Sequence, residues 1–348
     1  IYMLFENEAV LALLWEEKMN KIKKILKKRK VWFFIILFAF VYFNNCSFLT
    51  KQRTGKPLLL AHRGLAQTFN IEGITNETNT AQRINKPEYP YLENTIPSME
   101  AAFQDGADIV ELDIQLTKDG QFAVFHDWTL EYRTNGKGVI KDYTMAELKQ
   151  FDVGYNYTAD DGKTFPFRGK GVGLMPSLDE VLNYFPEQSL LIHIKSDDSQ
   201  DGEQLAQYFS KLPLKRLNQL TVYGGDKPIA VLQKRLPNIR VMSAATLKKG
   251  LLSYIVIGWT GYIPQSCKNT EFHIPLKYAP ILWGWPNRFL NRMESVNTRV
   301  IVVGGEGEFS QGFDTVEDIK RLPSDYTGGI WTNRIDRIAP LFNNKKIN

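Results

Sequence analysis

The stretch ELDIQLTKDGQFAVFHD, residues 111–127, carries two carboxylates at one end, Glu111 and Asp113, and an imidazole followed by a carboxylate at the other, His126 and Asp127. Between them the residues alternate as in a strand, broken by Asp119-Gly120, a strong two-residue turn signal. Pairing about that turn sets Lys118 opposite Gln121, hence Asp113 opposite His126 and Glu111 opposite Trp128. Side chains directly opposed on antiparallel strands share a face, ~5 Å apart at Cβ, so Glu111, Asp113 and His126 are expected to converge. Ile109, Val110, Leu112 and Ile114 read as the buried face of the same strand. The acids then point into an interior mouth, where charge without a partner is costly.

Two other strand ends carry groups of matching chemistry: His62-Arg63 after LLLA, and His193 with Lys195 in LLIHIK. Cleaving a phosphodiester requires a proton taken from the attacking oxygen and one given to the leaving oxygen, which suits two imidazoles near neutral pH. It also requires the anionic phosphoryl oxygens to be neutralised by a metal on carboxylates and by fixed cations. His62 and His126 are the candidates for proton transfer, Glu111 and Asp113 for the metal, and Arg63 and Lys195 for the phosphate. Glu93, just before the first long helix, is expected to orient Arg63 or a ligand from the layer behind. The competing reading makes Lys195 a solvated lysine ahead of the acidic loop SDDSQD; His273, in EFHIPL, reads as structural.

The elements that must position these groups recur as short apolar runs at 58–62, 108–114, 122–126, 189–195, 219–223, 239–243, 272–275, 299–303 and 329–332, with helical patterns between them. Only twelve residues separate Asp113 from His126, too few for a crossover helix, so the third run is a hairpin return. The other eight, each followed by a helix, predict a TIM-type (β/α)8 barrel with an extra hairpin strand, its reactive groups at the C-terminal ends of the strands. Residues 65–92 and about 128–176, rich in Gly, Asn, Thr, Tyr and Pro, are rim insertions on that same side. The aromatic segment 278–289 reads as core and loop packing, with an apolar lip for a lipid-like substrate as the sharper alternative.

AHRG (61–64), ENT (93–95), GADIVELDIQLTKDGQFAVFHD (106–127) and LLIHIK (190–195), taken in that order, resemble the glycerophosphodiester phosphodiesterase family. The likeness is close over roughly 57–195 and looser beyond; GIWTNRIDRIAP resembles the family's last barrel strand and the helix after it. The resemblance implies hydrolysis of glycerophosphodiesters to an alcohol and sn-glycerol 3-phosphate on a TIM barrel, with a divalent cation, commonly Mg²⁺ or Ca²⁺. It implies catalytic histidines at His62 and His126, metal binding by Glu111 and Asp113, and phosphate contacts from Arg63 and Lys195. Two features depart from the family pattern. His193 stands where a third acidic metal ligand is usual, which favours Mg²⁺, Mn²⁺ or Zn²⁺ over Ca²⁺ if it ligates, or leaves a hydrogen bond donor with no metal contact. A 29-residue gap between Gly64 and Asn94 replaces a short loop. The rival readings are a phospholipase on the same barrel, sphingomyelinase-D-like or phosphatidylinositol-specific, and a catalytically weakened ligand-binding barrel.

Composition narrows the class further. The 348 residues are 43% hydrophobic and 23% charged, ordinary for a globular chain, and two cysteines exclude a disulfide framework. Residues 1–50 hold eight Lys/Arg against four Asp/Glu, a balance of +4 that leaves +1 of the chain's +5 to residues 51–348. A basic tail without a basic face argues against a nucleic-acid partner. The basic residues cluster at 21–30, ahead of thirteen unbroken apolar residues, Val31 to Phe43. Residues 31–50 are therefore expected to form a transmembrane anchor, or a cleaved secretory segment, with 1–30 cytoplasmic and the 51–348 barrel on the far side of the membrane. Met19 starts a conventional leader, so 1–18 reads as upstream sequence. The expected substrate is a small-molecule or lipid-derived phosphodiester.

Overall fold

The computed structural model describes residues 2–51, 53–75, 77–305 and 311–343. Ile1 and, within the expected 51–348 domain, residues 52, 76, 306–310 and 344–348 lie outside the described residues. All nine expected strands form: β1 Leu58–Ala61, β2 Ile109–Leu116, β3 Phe122–Val124, β4 Ser189–Ile194, β5 Leu220–Gly224, β6 Arg240–Met242, β7 Glu271–Pro275, β8 Arg299–Val303 and β9 Gly329–Thr332. Eight run parallel in the order β6-β5-β4-β2-β1-β9-β8-β7, and β3 pairs with β2 off that path. The sheet is a nearly closed barrel: a parallel bridge between Val241 and Thr270 joins its two ends, where the Thr270 hydroxyl donates to the Val241 carbonyl at 2.6 Å.

Buried apolar side chains of the strands, such as Leu59, Leu112, Ile192, Val222 and Ile274, pack outward against surrounding helices, among them Ile96–Gln104, Ser199–Phe209 and Asn287–Glu294. A smaller set, Leu60, Ile109, Leu191, Ile301 and Trp331, fills the barrel interior. The insertion after β3 is built of short 3-10 and helical turns around its own core of Leu130, Ile140, Leu148, Tyr157 and Phe167.

The hairpin register differs from expectation by one residue. Leu116 pairs with Phe122 and Ile114 with Val124, while Thr117 N–H donates to Gln121 O at 2.9 Å. The turn therefore holds three residues, Lys118 to Gly120, with Gly120 at φ 77°, a left-handed position suited to glycine. Asp113 faces Phe125, whose N–H donates to the Asp113 carbonyl at 3.0 Å; His126 follows the end of β3 and reaches the mouth from a loop.

A membrane span over the expected 31–50 is not supported. A single helix runs Tyr2–Asn45, through the basic cluster, and a 3-10 turn follows at Ser47–Leu49. Thirteen apolar residues make a helical length of about 20 Å, against a hydrocarbon core of about 30 Å, and among the described residues no helix is long and apolar enough to cross a membrane. The helix end docks on the barrel: Asn44 and Asn45 donate to the Trp259 carbonyl at 3.0 and 2.8 Å, and Arg292 donates to Asn45 at 3.0 Å.

Candidate active site

Two turns clasp each other at the end of β1. The chain passes through His62, Arg63 at φ 57° and Gly64 at φ 81°, and the Arg63 carbonyl accepts the Asn94 N–H at 3.1 Å. A Cβ on Gly64 would meet the Ser98 carbonyl carbon at 2.7 Å, so glycine is what lets this turn lie against the start of helix Ile96–Gln104. Thr95 caps that helix, its hydroxyl accepting from Ser98 N–H at 3.4 Å. Capping exposes the preceding Glu93 and Asn94 to the barrel mouth. Glu93 meets the Arg63 guanidinium at 3.0 Å, and Asn94 donates to Asp113 Oδ2 at 2.9 Å while accepting the Asp113 N–H at 3.0 Å.

Register gathers the rest. Across the parallel strands Asp113 is the partner of His193, and His193 of Tyr223, so three side chains stand in one row. His193 Nδ1 lies 2.8 Å from Asp113 Oδ1, and its ring stacks on Tyr223 at 4.2 Å. The Tyr223 hydroxyl donates to Glu111 Oε1 at 2.7 Å. Arg63 Nε sits 3.2 Å from Asp113 Oδ2, and Lys195 Nζ 3.9 Å from Oδ1. Lys195 has a side-chain exposure of 8%, which overturns the solvated reading.

The two candidate imidazoles are held alike. His62 Nδ1 is 2.7 Å from Asn333 Oδ1, an atom that only accepts, so Nδ1 carries the proton; the amide is itself fixed by donating to Asp314 at 2.8 Å. His126 Nδ1 is 2.8 Å from Asp127 Oδ1, and an ionised carboxylate likewise only accepts. In each ring Nε2 is left with its lone pair, and that of His62 lies 3.9 Å from Glu111 Oε2. Asp127 is held in turn by Arg133 at 2.7 Å, which also pairs with Glu93 at 3.2 Å. Every candidate named from the sequence thus lies in one connected cluster at the C-terminal ends of β1, β2 and β4 and in the loops after β1 and β3, except His273, which lies on β7 and donates from Nε2 to the buried Glu271 at 2.8 Å.

Burial and the adjacent Asp113 charge push Glu111 up to about 8. Burial opposes the charge on Asp113 as well, but Arg63, His126, Lys195 and the His193 hydrogen bond hold it well below the ordinary carboxylate range. Burial, then the Arg63 charge, lowers both His62 and His126 below 6.5, so both rings are neutral near pH 7. Ligand atoms of Glu111, Asp113 and His193 all lie within 4.8 Å of one another. Two buried carboxylates, one of which resists ionising without a cation, and one imidazole form a donor set that fits a divalent metal.

Asn94, Arg133, Tyr223 and Asn333 escaped the sequence reading as site residues. Tyr223 had a usable signal, standing at a strand end in the same inward row as His193. Arg133 had none, since its partners are 40 residues upstream and six residues upstream on a different turn.

A model of the glycerophosphoryl diester phosphodiesterase family matches residues 62–249. Curated relatives include a Bacillus subtilis glycerophosphodiester phosphodiesterase, 36% identical over 166 residues, covering 44% of this chain and 55% of the relative. A Bacillus altitudinis protein of the same name is 41% identical over 120 residues, covering 34% and 44%. The chain thus spans about half the length of these relatives, whereas it spans 95% of an uncharacterised Bacillus subtilis protein at 35% identity, with 73% of this chain covered. Among solved structures, the glycerophosphoryl diester phosphodiesterase domain of a Mycobacterium tuberculosis protein superposes with a TM-score of 0.58 at 16% identity, covering 82% of this chain and 99% of that one. An Agrobacterium tumefaciens glycerophosphodiester phosphodiesterase gives 0.54 at 20% identity, covering 83% and 99%; at such identities the likeness is one of fold. On the family match and the length of the shared sequence, the chain belongs to the glycerophosphoryl diester phosphodiesterase family.

Proposed function

We propose that this protein hydrolyses glycerophosphodiesters to an alcohol and sn-glycerol 3-phosphate, with a divalent metal and two histidines moving the protons. The observation that carries the reading is the matched pair of imidazoles, each tethered through Nδ1 and open at Nε2, flanking the buried Glu111–Asp113 pair. An Oleispira antarctica phosphodiesterase of the same fold, with a TM-score of 0.52 and 17% identity, is described in complex with the product sn-glycerol-3-phosphate, which suits this substrate class.

Glu111, Asp113 and His193 would hold the metal, whose chemistry is to neutralise charge on the phosphoryl oxygens. Arg63 and Lys195 face the same oxygens as fixed cations. His62 Nε2 takes the proton from the attacking water as its oxygen bonds to phosphorus. His126, protonated at Nε2 as the imidazolium beside the Asp127 carboxylate, delivers that proton to the departing alcohol oxygen as its bond to phosphorus breaks. The anionic diester, once seated, adds to the Asp127 carboxylate in raising the proton affinity of His126, offsetting the lowering by burial and Arg63, while His62, paired with the neutral Asn333 amide, stays the base. Asn333, Asp127 and Arg133 keep both rings in the productive tautomer.

Incubation of the purified chain with glycerophosphocholine and Mg²⁺, with sn-glycerol 3-phosphate quantified by an enzyme-coupled assay, tests the reading. Metal-dependent release of that product is expected; release no faster than in chelator contradicts it.

A further inference from the structure

The three groups that fit a divalent metal come from two strands, Glu111 and Asp113 from β2 and His193 from β4. Tyr223 touches two of the three from β5, a strand that supplies none of them. It is the register partner of His193, as His193 is of Asp113. Its hydroxyl donates to Glu111 Oε1 at 2.7 Å. Its ring lies on the His193 ring, with centroids 4.2 Å apart and planes inclined by 11°.

Each contact fixes a degree of freedom that the ligands' other partners leave open. Glu111 Oε2 accepts the Arg63 N–H at 3.2 Å; with the Tyr223 hydroxyl both carboxylate oxygens are held, and each keeps a lone pair for a cation. His193 is tied to the ionised Asp113 by one hydrogen bond, Nδ1 to Oδ1 at 2.8 Å. That bond fixes one atom and the tautomer and leaves the lone pair on Nε2, but it does not fix the plane of the ring. An acid at this position would offer two equivalent oxygens, so a swing of the group would cost little. An imidazole offers one lone pair in one direction, so its plane has to be set from outside. The near-parallel phenol ring of Tyr223 sets it. Tyr223 is itself backed by the His273 ring at 5.6 Å, which is anchored on the buried Glu271 at 2.8 Å.

We propose that Tyr223 is the positioning residue that makes an imidazole at position 193 a competent metal ligand, its ring holding the His193 plane by stacking while its hydroxyl orients Glu111. The assignment rests on the metal-dependent reading above and deepens it: the imidazole in place of an acid and the aromatic ring on the neighbouring strand act as one unit. Losing a group that orients metal ligands costs about 10–100-fold in metal affinity, and an aromatic pair about 0.5–1.5 kcal/mol.

Calorimetric titration of the full chain with Mn²⁺ tests it. Tyr223→Phe keeps the stack and removes the hydroxyl, and Tyr223→Leu removes both; each is made in the native and in the His193→Asp background. Tyr223→Phe is expected to weaken Mn²⁺ binding about tenfold in either background, because Glu111 loses the same hydrogen bond. Tyr223→Leu is expected to weaken it about fivefold further than Tyr223→Phe when His193 is present, and no further in the His193→Asp background, where no ring remains to stack on. A Leu-to-Phe gap of equal size in both backgrounds overturns the role, since a merely structural tyrosine would lower the Tm of chelator-treated protein and leave that gap equal. A Kd moved less than about threefold by both substitutions overturns it as well. If the unsubstituted chain binds no Mn²⁺, the metal-dependent reading itself fails and the role falls with it, which is a distinct outcome.

Discussion

Asn333 Oδ1 accepts a hydrogen bond from His62 Nδ1 at 2.7 Å, and Asp314 locks the amide that presents it by accepting from Asn333 Nδ2 at 2.8 Å and from the Asn333 backbone N–H at 2.6 Å. The relationship spans the seam between β1 and β9, which pair directly from Leu58–Gly329 to Ala61–Thr332. It makes one imidazole nitrogen a donor and leaves the other with its lone pair.

Asn333→Ala removes the acceptor and lets the imidazole choose either tautomer. We expect kcat to fall on the order of tenfold or more, a part of the 10²–10⁴ that acid–base catalysis supplies in full, while KM changes little. Steady-state kinetics check it; an unchanged kcat contradicts the tautomer role.

Glu111 carries a stability signature. In the metal-free protein, burial and Asp113 raise it from an ordinary 4.5 to about 8. A carboxyl with a folded value above its unfolded one binds its proton more tightly in the native state, so native stability falls as pH rises between those two values. Glu111→Gln is therefore expected to raise the Tm of chelator-treated protein at about pH 8.5 and to change it little at about pH 4, while abolishing activity. A Tm difference that is the same at both pH values contradicts this origin.

His193 in place of an acid removes one negative charge from the metal set and adds a softer donor. Turnover of stripped protein reloaded with single metals is expected to be higher with Mg²⁺ or Mn²⁺ than with Ca²⁺, and His193→Asp should shift the balance toward Ca²⁺. A wide Ca²⁺ preference in the native protein contradicts the assignment.

Two glycines at positive φ separate backbone strain from steric contact. Gly120, at φ 77°, has nothing within 4 Å of a built Cβ, whereas at Gly64, φ 81°, the Ser98 backbone lies at 2.7–2.8 Å. Gly120→Ala should cost about 1–2 kcal/mol from the left-handed backbone alone, and Gly64→Ala clearly more, with loss of activity as the Arg63 turn shifts. Denaturant titration checks the order; equal costs contradict it.

The strands were legible because each is a short apolar run whose partners are set by chain order in a parallel barrel. His62, Arg63, Glu111, Asp113, His193 and Lys195 were legible because strand ends mark the mouth of such a barrel. The hairpin register was not, because Asp119-Gly120 is compatible with a two- or three-residue turn and the Thr117–Gln121 pairing decides between them. The slip had little consequence for His126, which reaches the barrel mouth from the loop beyond β3. The anchor expectation counted the uncharged residues 44–50 toward the span, whereas the helix ends at Asn45, where Asn44 and Asn45 turn to the barrel. Asn94, Arg133 and Asn333 act through contacts between segments distant in the chain, which local patterns do not encode.

The central claim is that His62 and His126 together transfer the protons of phosphodiester cleavage. The most direct measurement is turnover of glycerophosphocholine with Mg²⁺ by His62→Ala and His126→Ala, each confirmed as folded by circular dichroism. The account predicts that each variant loses on the order of 10²-fold or more in kcat; near-full activity in either one contradicts it.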